Sequence, residues 1–141
     1  MVKSPVTTKE YLSQAYRIDQ RINSKLEQIN TLRNLATKAT TALNHTNSDF
    51  HSKDPHFMEN VIVKMVDLEH QIHNDIDTLI DLKKEIVLLI KQIKNPEYQT
   101  LLELRYLCFK TWEQIAVEMG YDLRYLHKLH SRALIVCKDQ N

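Results

Sequence analysis

Arg124, Tyr125, His127, Lys128 and Ser131 stand close together near the end of the chain, and all five side chains can donate a hydrogen bond. At helical spacing they share one side, opposite Leu126, Leu129 and Ala133. From Asp122 to Lys138 there are four Lys or Arg (Arg124, Lys128, Arg132, Lys138) against one Asp, and His127 and His130 add two candidate donors. Donors gathered on a locally basic helix are what phosphates and the acceptor-rich edges of base pairs require. The whole 141-residue chain has 19 Lys+Arg against 18 Asp+Glu, a net charge of +1, so bulk charge does not draw it to polyanions. The electrostatic case for DNA is one of placement.

Two short helices and a tight turn must position this set. Thr111 can cap the first helix and Gln114, three residues on, can answer it in a capping box. Trp112, Ile115, Ala116 and Met119 then form one apolar face, and Gly120 is placed to end the helix in a left-handed conformation. Asp122 suits the N-cap of the second helix, whose inward stripe is Leu126, Leu129 and Ala133. Ala116 is small enough for a close crossing. The pattern is a helix-turn-helix, in which the early turns of the second helix, spanning about 122–137, enter the major groove. Before it, Asn95 caps a support helix opened by Pro96 and Glu97, with Tyr98, Leu101, Leu102, Leu104 and Leu107 as its apolar face. Phe109 and Lys110 connect the support helix to Thr111.

The stretch LRYLCFKTWEQIAVEMGYDLRYLHKLHSRAL resembles region four of bacterial sigma factors, through Leu104-Arg105-Tyr106, Glu113-Gln114-Ile115-Ala116, Gly120 and Arg132-Ala133-Leu134. A closer resemblance is to small proteins from phages and prophages of Gram-positive bacteria. These are the ArpU- and RinA-like late transcription regulators and a neighbouring phage family of uncharacterised function. The last is similar in TTKEYLSQAYRIDQRINSK, in IVKMVDLEHQI and in NPEYQTLLELRYLCFKTWEQIA. By resemblance to sigma region four, Leu123, Arg124, Tyr125, His127 and Lys128 are the base-facing positions. Arg124 or Lys128 would then take a guanine edge, and Tyr125 or Leu123 a thymine methyl. Arg105, Lys110 and Thr111 are candidates for the phosphate contacts that set register. The helix departs from the sigma pattern in carrying fewer basic residues.

The rest of the chain reads as a support for that head. One glycine and three prolines are too few for a strand-rich fold, and 26% charged residues on long helical periods indicate an all-α chain. Residues 1–6 read as a loose tail, and Thr7 with Glu10 as a capping box opening the first helix near Thr8. Its seam positions are Ala15, Ile22, Ile29, Ala36 and Leu43, with Tyr11, Ile18, Lys25, Leu32 and Ala39 beside them, and it should run to about Asn44. The polar segment 44–54 reads as a connection, and Asp54-Pro55 as the start of the second helix, which should end near Lys94. There Met58, Met65, Ile72, Leu79, Ile86 and Ile93 recur every seven residues, with Val61, Leu68, Asp75, Leu82 and Leu89 in the second seam position. Two helices of near-equal length joined by a short connection make a long antiparallel hairpin over 7–94, with the helix-turn-helix domain over 95–141. Lys25 and Asp75, the seam exceptions, could meet as an ion pair or stay wet at the edge.

Ile62, Ile76 and Ile90 widen the apolar stripe beyond what one partner helix covers. This implies self-association, a dimer being the simplest closed solution, through Met65, Leu68, Ile72, Asp75, Leu79, Leu82, Ile86 and Leu89. The alternative is a monomer that packs the stripe on its own C-terminal domain.

No enzyme constellation is present: G-x-x-x-x-G-K, G-x-S-x-G and H-E-x-x-H are all absent. No cofactor is implied. His45, His51 and His56 match no metal-ligand spacing, and His70 and His73 fall on outer heptad positions, as on a solvated face. Cys108 and Cys137 read as reduced thiols, no apolar run is long enough to span a membrane, and the bacterial host cytoplasm is the expected compartment. The reading is a phage-encoded, sequence-specific DNA-binding regulator of the transcription of late genes, which as an activator would also touch host RNA polymerase. Two rivals keep the same domain. One is a small-terminase-like packaging protein that binds double-stranded DNA as a ring; the other is a protein-interaction module, an anti-repressor or polymerase binder.

Overall fold

The computed structural model describes residues 7–45 and 55–139, with side chains over 7–42 and 55–138. The expected tail, the 46–54 connection, Asp54, His51 and the Leu43 and His45 side chains lie outside the described residues. The architecture is all-helical, with no strand among the described residues. Its elements are α1 (Thr8–His45), α2 (Phe57–Lys91), α3 (Pro96–Leu102), a π-helical turn (Glu103–Leu107), α4 (Trp112–Met119) and α5 (Leu123–Asp139). No helix is long and apolar enough to cross a membrane among those described.

The local signals set most of the boundaries. Thr7 Oγ1 accepts from the Glu10 backbone N–H at 3.1 Å, just before α1 begins. Helix α2 stops at Lys91, three residues short of the expected end. There the Gln92 and Ile93 N–H groups donate three residues back, to Leu89 and Ile90, tightening the chain into a last narrow turn. Asn95 is extended because Pro96 follows it, and its side chain accepts from the Glu97 and Tyr98 N–H groups. The Gln99 amide closes the junction from the other side, donating to the Ile93 carbonyl at 2.6 Å.

The chain divides into two compact units. One comprises Gln20–Asp77. Ile22, Ile29 and Ala39 of α1 are buried there, as are Val61 and Ile72 of α2. The two polar seam residues find each other: Lys25 Nζ lies 2.5 Å from Asp75 Oδ2, both side chains only 14% exposed. Arg21 adds a second cation 3.7 Å from the other carboxylate oxygen.

The other unit joins Met1–Asp19 to Thr78–Asn141, so it crosses the boundary expected at 94/95. Leu12 and Ala15 of α1 pack in one cluster with Leu82, Ile86, Leu89, Ile90 and Ile93, and with Leu102, Tyr106, Ala133 and Cys137. Burying such a set of side chains is the main favourable term holding the unit together. Tyr11 donates its hydroxyl to Glu85 at 3.0 Å at the edge of this cluster. A second cluster, Leu101, Ile115, Leu126 and Leu129, joins α3, α4 and α5.

Two backbone features here have no signal in the sequence. The support helix changes to π geometry over Glu103–Leu107, and Phe109 sits at φ 58. A left-handed non-glycine residue costs about 1–2 kcal/mol. Phe109 recovers it through tertiary contacts: its ring tilts against Tyr16 with centroids 5.6 Å apart, and the Lys83 ammonium lies 4.7 Å over it.

The seam residues assigned to oligomerisation are occupied within the single chain. Ile72, Leu82, Ile86 and Leu89 are buried, Met65, Leu68 and Leu79 are half-buried, and Asp75 holds Lys25. Of the flanking stripe, Ile90 is buried by the C-terminal helices, while Ile62 and Ile76 stay exposed.

Candidate nucleic-acid interface

Helix α4 is fixed at both ends by its own sequence. Thr111 Oγ1 accepts from Gln114 N–H, and the Gln114 side chain accepts from Thr111 N–H, so the capping box is complete. Gly120 at φ 74 ends the helix, its N–H donating to the Ala116 carbonyl. Asp122 then caps α5 by accepting from Tyr125 N–H at 2.8 Å. The Tyr121 hydroxyl donates to Glu97 at 2.8 Å, which ties the turn to α3.

With α5 so placed, Leu126, Leu129, Ala133 and Cys137 turn inward and are buried. Arg124, His127, Lys128, Ser131 and Arg132 are exposed on the other side. Arg124, Lys128 and Arg132 have no ion-pair partner among the described residues, so their donors are directed at solvent. Leu123 and Tyr125 are also exposed; the Tyr125 ring leans edge-on against Tyr121, centroids 4.8 Å apart. Ser131 donates back to the His127 carbonyl at 3.2 Å, and the His127 ring rests against Trp112 at 4.9 Å. These two are thus held by the fold as well as displayed. Arg132 shares the exposed basic side with Arg124 and Lys128, eight and four residues behind it on the helix.

The three residues expected on phosphates have partners of their own. Arg105 donates to the Lys110 carbonyl at 2.9 Å and stacks over the Trp112 ring at 4.5 Å. Lys110 pairs with Glu118, and the Thr111 hydroxyl is taken by the cap. They brace the entry to α4.

His130 is not a surface donor. It is buried, with Nε2 2.7 Å from the Tyr106 hydroxyl and Trp112 edge-on at 4.6 Å. Burial, with the nearby cations Lys9 and Arg105, pushes its pKa down from 6.5 to about 4, so the ring is neutral near pH 7. The Tyr106 hydroxyl is pushed up to about 12 by the same burial and stays protonated. The signal was in the sequence: His130 falls on the stripe of Leu126, Ala133 and Cys137, spaced by four, three and four residues.

Among the described residues no group of three or more His, Cys, Asp or Glu is placed to hold a metal ion. His56 pairs with Glu59 at 3.2 Å, and His70 and His73 are exposed.

Fold and site together define a small all-helical protein whose last helix is apolar within and basic without. Residues 52–134, more than half of the chain, match the family model described as "Protein of unknown function (DUF1492)", and the chain belongs to that family. Neither a curated protein nor a solved structure matches the chain.

Proposed function

We propose that this is a phage-encoded, sequence-specific DNA-binding regulator of transcription, acting on late genes in the cytoplasm of a bacterial host. Helices α4 and α5 act as a helix-turn-helix of the kind in sigma region four, and α5 reads the major groove. What carries this reading is the outer side of α5, where Arg124, Lys128 and Arg132 are exposed and unpaired among the described residues. Arg124 and Lys128 take guanine edges or phosphates, and Leu123 and Tyr125 contact thymine methyls. His127 and Ser131 line the same side. Arg105, Lys110 and Thr111 position the head through the α4 entry more than through phosphates.

Helices α1 and α2 form an antiparallel hairpin. In its favour, each unit by itself brings the two helices together, Tyr11 of α1 meeting Glu85 of α2 in one and Lys25 meeting Asp75 in the other. The protein acts as a homodimer, since a second tethered head can raise the apparent affinity of a weakly basic one by about 10²–10⁴. Selection of bound fragments from the phage genome would identify the operator. Arg124→Ala with Lys128→Ala should then cost about 3 kcal/mol, close to a hundredfold in Kd, at unchanged helicity. Unaltered operator affinity would refute the assigned side.

A second reading, a protein-binding head on an anti-repressor or on host RNA polymerase, is favoured by apolar exposure. Val117 on α4 is 83% exposed and Ile135 on α5 is 62% exposed. Failure to bind any duplex at low salt, with capture of a host protein lost on Val117→Asp, would decide for it.

A further inference from the structure

In the Gln20–Asp77 unit, three of the aliphatic side chains that α2 leaves in solvent share one face, Ile62 (55% exposed), Val66 (43%) and Ile76 (36%), while Val63 (58%) stands about 100° to its side. At about 100° per residue, the first three fall within roughly 40° of one line along the helix, and Glu69 and His73 fall on the same line between them. Glu69 and His73 are exposed too, and neither has an ion-pair partner among the described residues. The face is therefore apolar at its ends and carries one acid and one imidazole in the middle.

We infer that this face docks on the same face of a second copy of the chain, in antiparallel orientation, about a two-fold axis level with Gln71. The pattern is self-complementary about that level. Val66 and Ile76 lie equally far from it on either side, as do Glu69 and His73. Antiparallel apposition sets Val66 on the partner's Ile76 and the Glu69 carboxylate on the partner's His73, which donates a ring N–H to it. The two-fold repeats both contacts, as an isologous interface must. A parallel pair would instead set carboxylate on carboxylate, and like charges directly opposed disfavour it. A lipid or an unrelated protein has no reason to match a pattern that mirrors itself around one position. The face is distinct from the α1–α2 seam, whose side chains the single chain already uses.

This pairing rests on reading the protein as a homo-oligomer, and DNA affinity, titrated separately, can stand without it. Sedimentation equilibrium of the full chain should give twice the 16.7 kDa chain mass. Val66→Asp alone or Ile76→Lys alone should weaken the dimer by about a hundredfold, because each sets a charge against an aliphatic partner with its hydration stripped. The two together should restore it, since the new carboxylate and ammonium then face each other across the axis. Both positions are exposed, so far-UV circular dichroism should report unchanged helicity in every variant. A wild-type chain that sediments as a monomer, a ring-sized mass, or a double variant as dissociated as the singles would each overturn the inference.

Discussion

Removing Asp75 should cost more than removing Lys25, although the two form one ion pair. The Lys25 ammonium and the Asp75 carboxylate touch at 2.5 Å with 14% of each side chain exposed. Breaking a buried pair from one side costs about 3–5 kcal/mol, because the remaining charge is left without compensation. Asp75→Leu leaves Lys25 in that state, eased only by the reach of its four-carbon stem toward water, so about 3 kcal/mol is expected. Lys25→Leu does not strand Asp75 in the same way, because Arg21 already stands 3.7 Å from its other oxygen. Arg21 is 64% exposed and its attraction is screened, yet it is in place, and the cost should fall to about 1–2 kcal/mol. Lys25→Leu with Asp75→Leu replaces the pair by apolar contact and should lie within about 1 kcal/mol of wild type. In urea, with a slope of about 2 kcal/mol per molar, the midpoint should drop by about 1.5 M for Asp75→Leu and by about 0.5–1 M for Lys25→Leu. Equal losses for the two single variants, or a double variant at their sum, would refute the account.

Two other perturbations follow from the C-terminal helices. His130 has its pKa lowered in the folded state, so its contribution is whole above pH 6.5 and is lost as pH falls towards 4. Stability should decline by about 3 kcal/mol across that window, and His130→Gln should flatten the decline; an unchanged pH profile in the variant would place the titration elsewhere. Gly120 is left-handed, and a Cβ there would meet nothing within 4 Å, so Gly120→Ala should cost about 1 kcal/mol from the backbone alone. Gly120→Asn should cost less, and thermal melts that rank the two the other way would contradict this.

The regular parts of the chain were legible because their signals are local. Thr111 with Gln114, Gly120, Asp122 and Asn95-Pro96 each act within a few residues, and each sits where its chemistry predicts. Period-seven spacing marked Ile22, Ile29, Ile72, Ile86 and Ile93 as inward; it left its two exceptions, Lys25 and Asp75, either paired or wet, and only the packing joins them. The π-helical turn and the left-handed Phe109 were not legible, since they exist through contacts from Tyr16 and Lys83, far away in sequence. Ile90 could not be told from Ile62 and Ile76 for a similar reason: all three share one heptad position, and only the C-terminal helices, which cover Ile90, separate them. Arg105 and Lys110 looked like free cations because side-chain partners such as Trp112 and Glu118 leave no periodic trace.

The cluster that gathers Leu12 and Ala15 with Ala133 and Cys137 also bears on how the protein can be taken apart. A fragment cut at Asn95 would carry α4 and α5 intact yet lack Leu12, Ala15, Ile86 and Ile90, and would bare the apolar surface they cover. On the ribosome, the earliest-made turns of α1 must wait for the last-made turns of α5 before this core can close, a loop of more than a hundred residues. Dissection of the head should therefore splice the two distant segments together instead of trimming from one end.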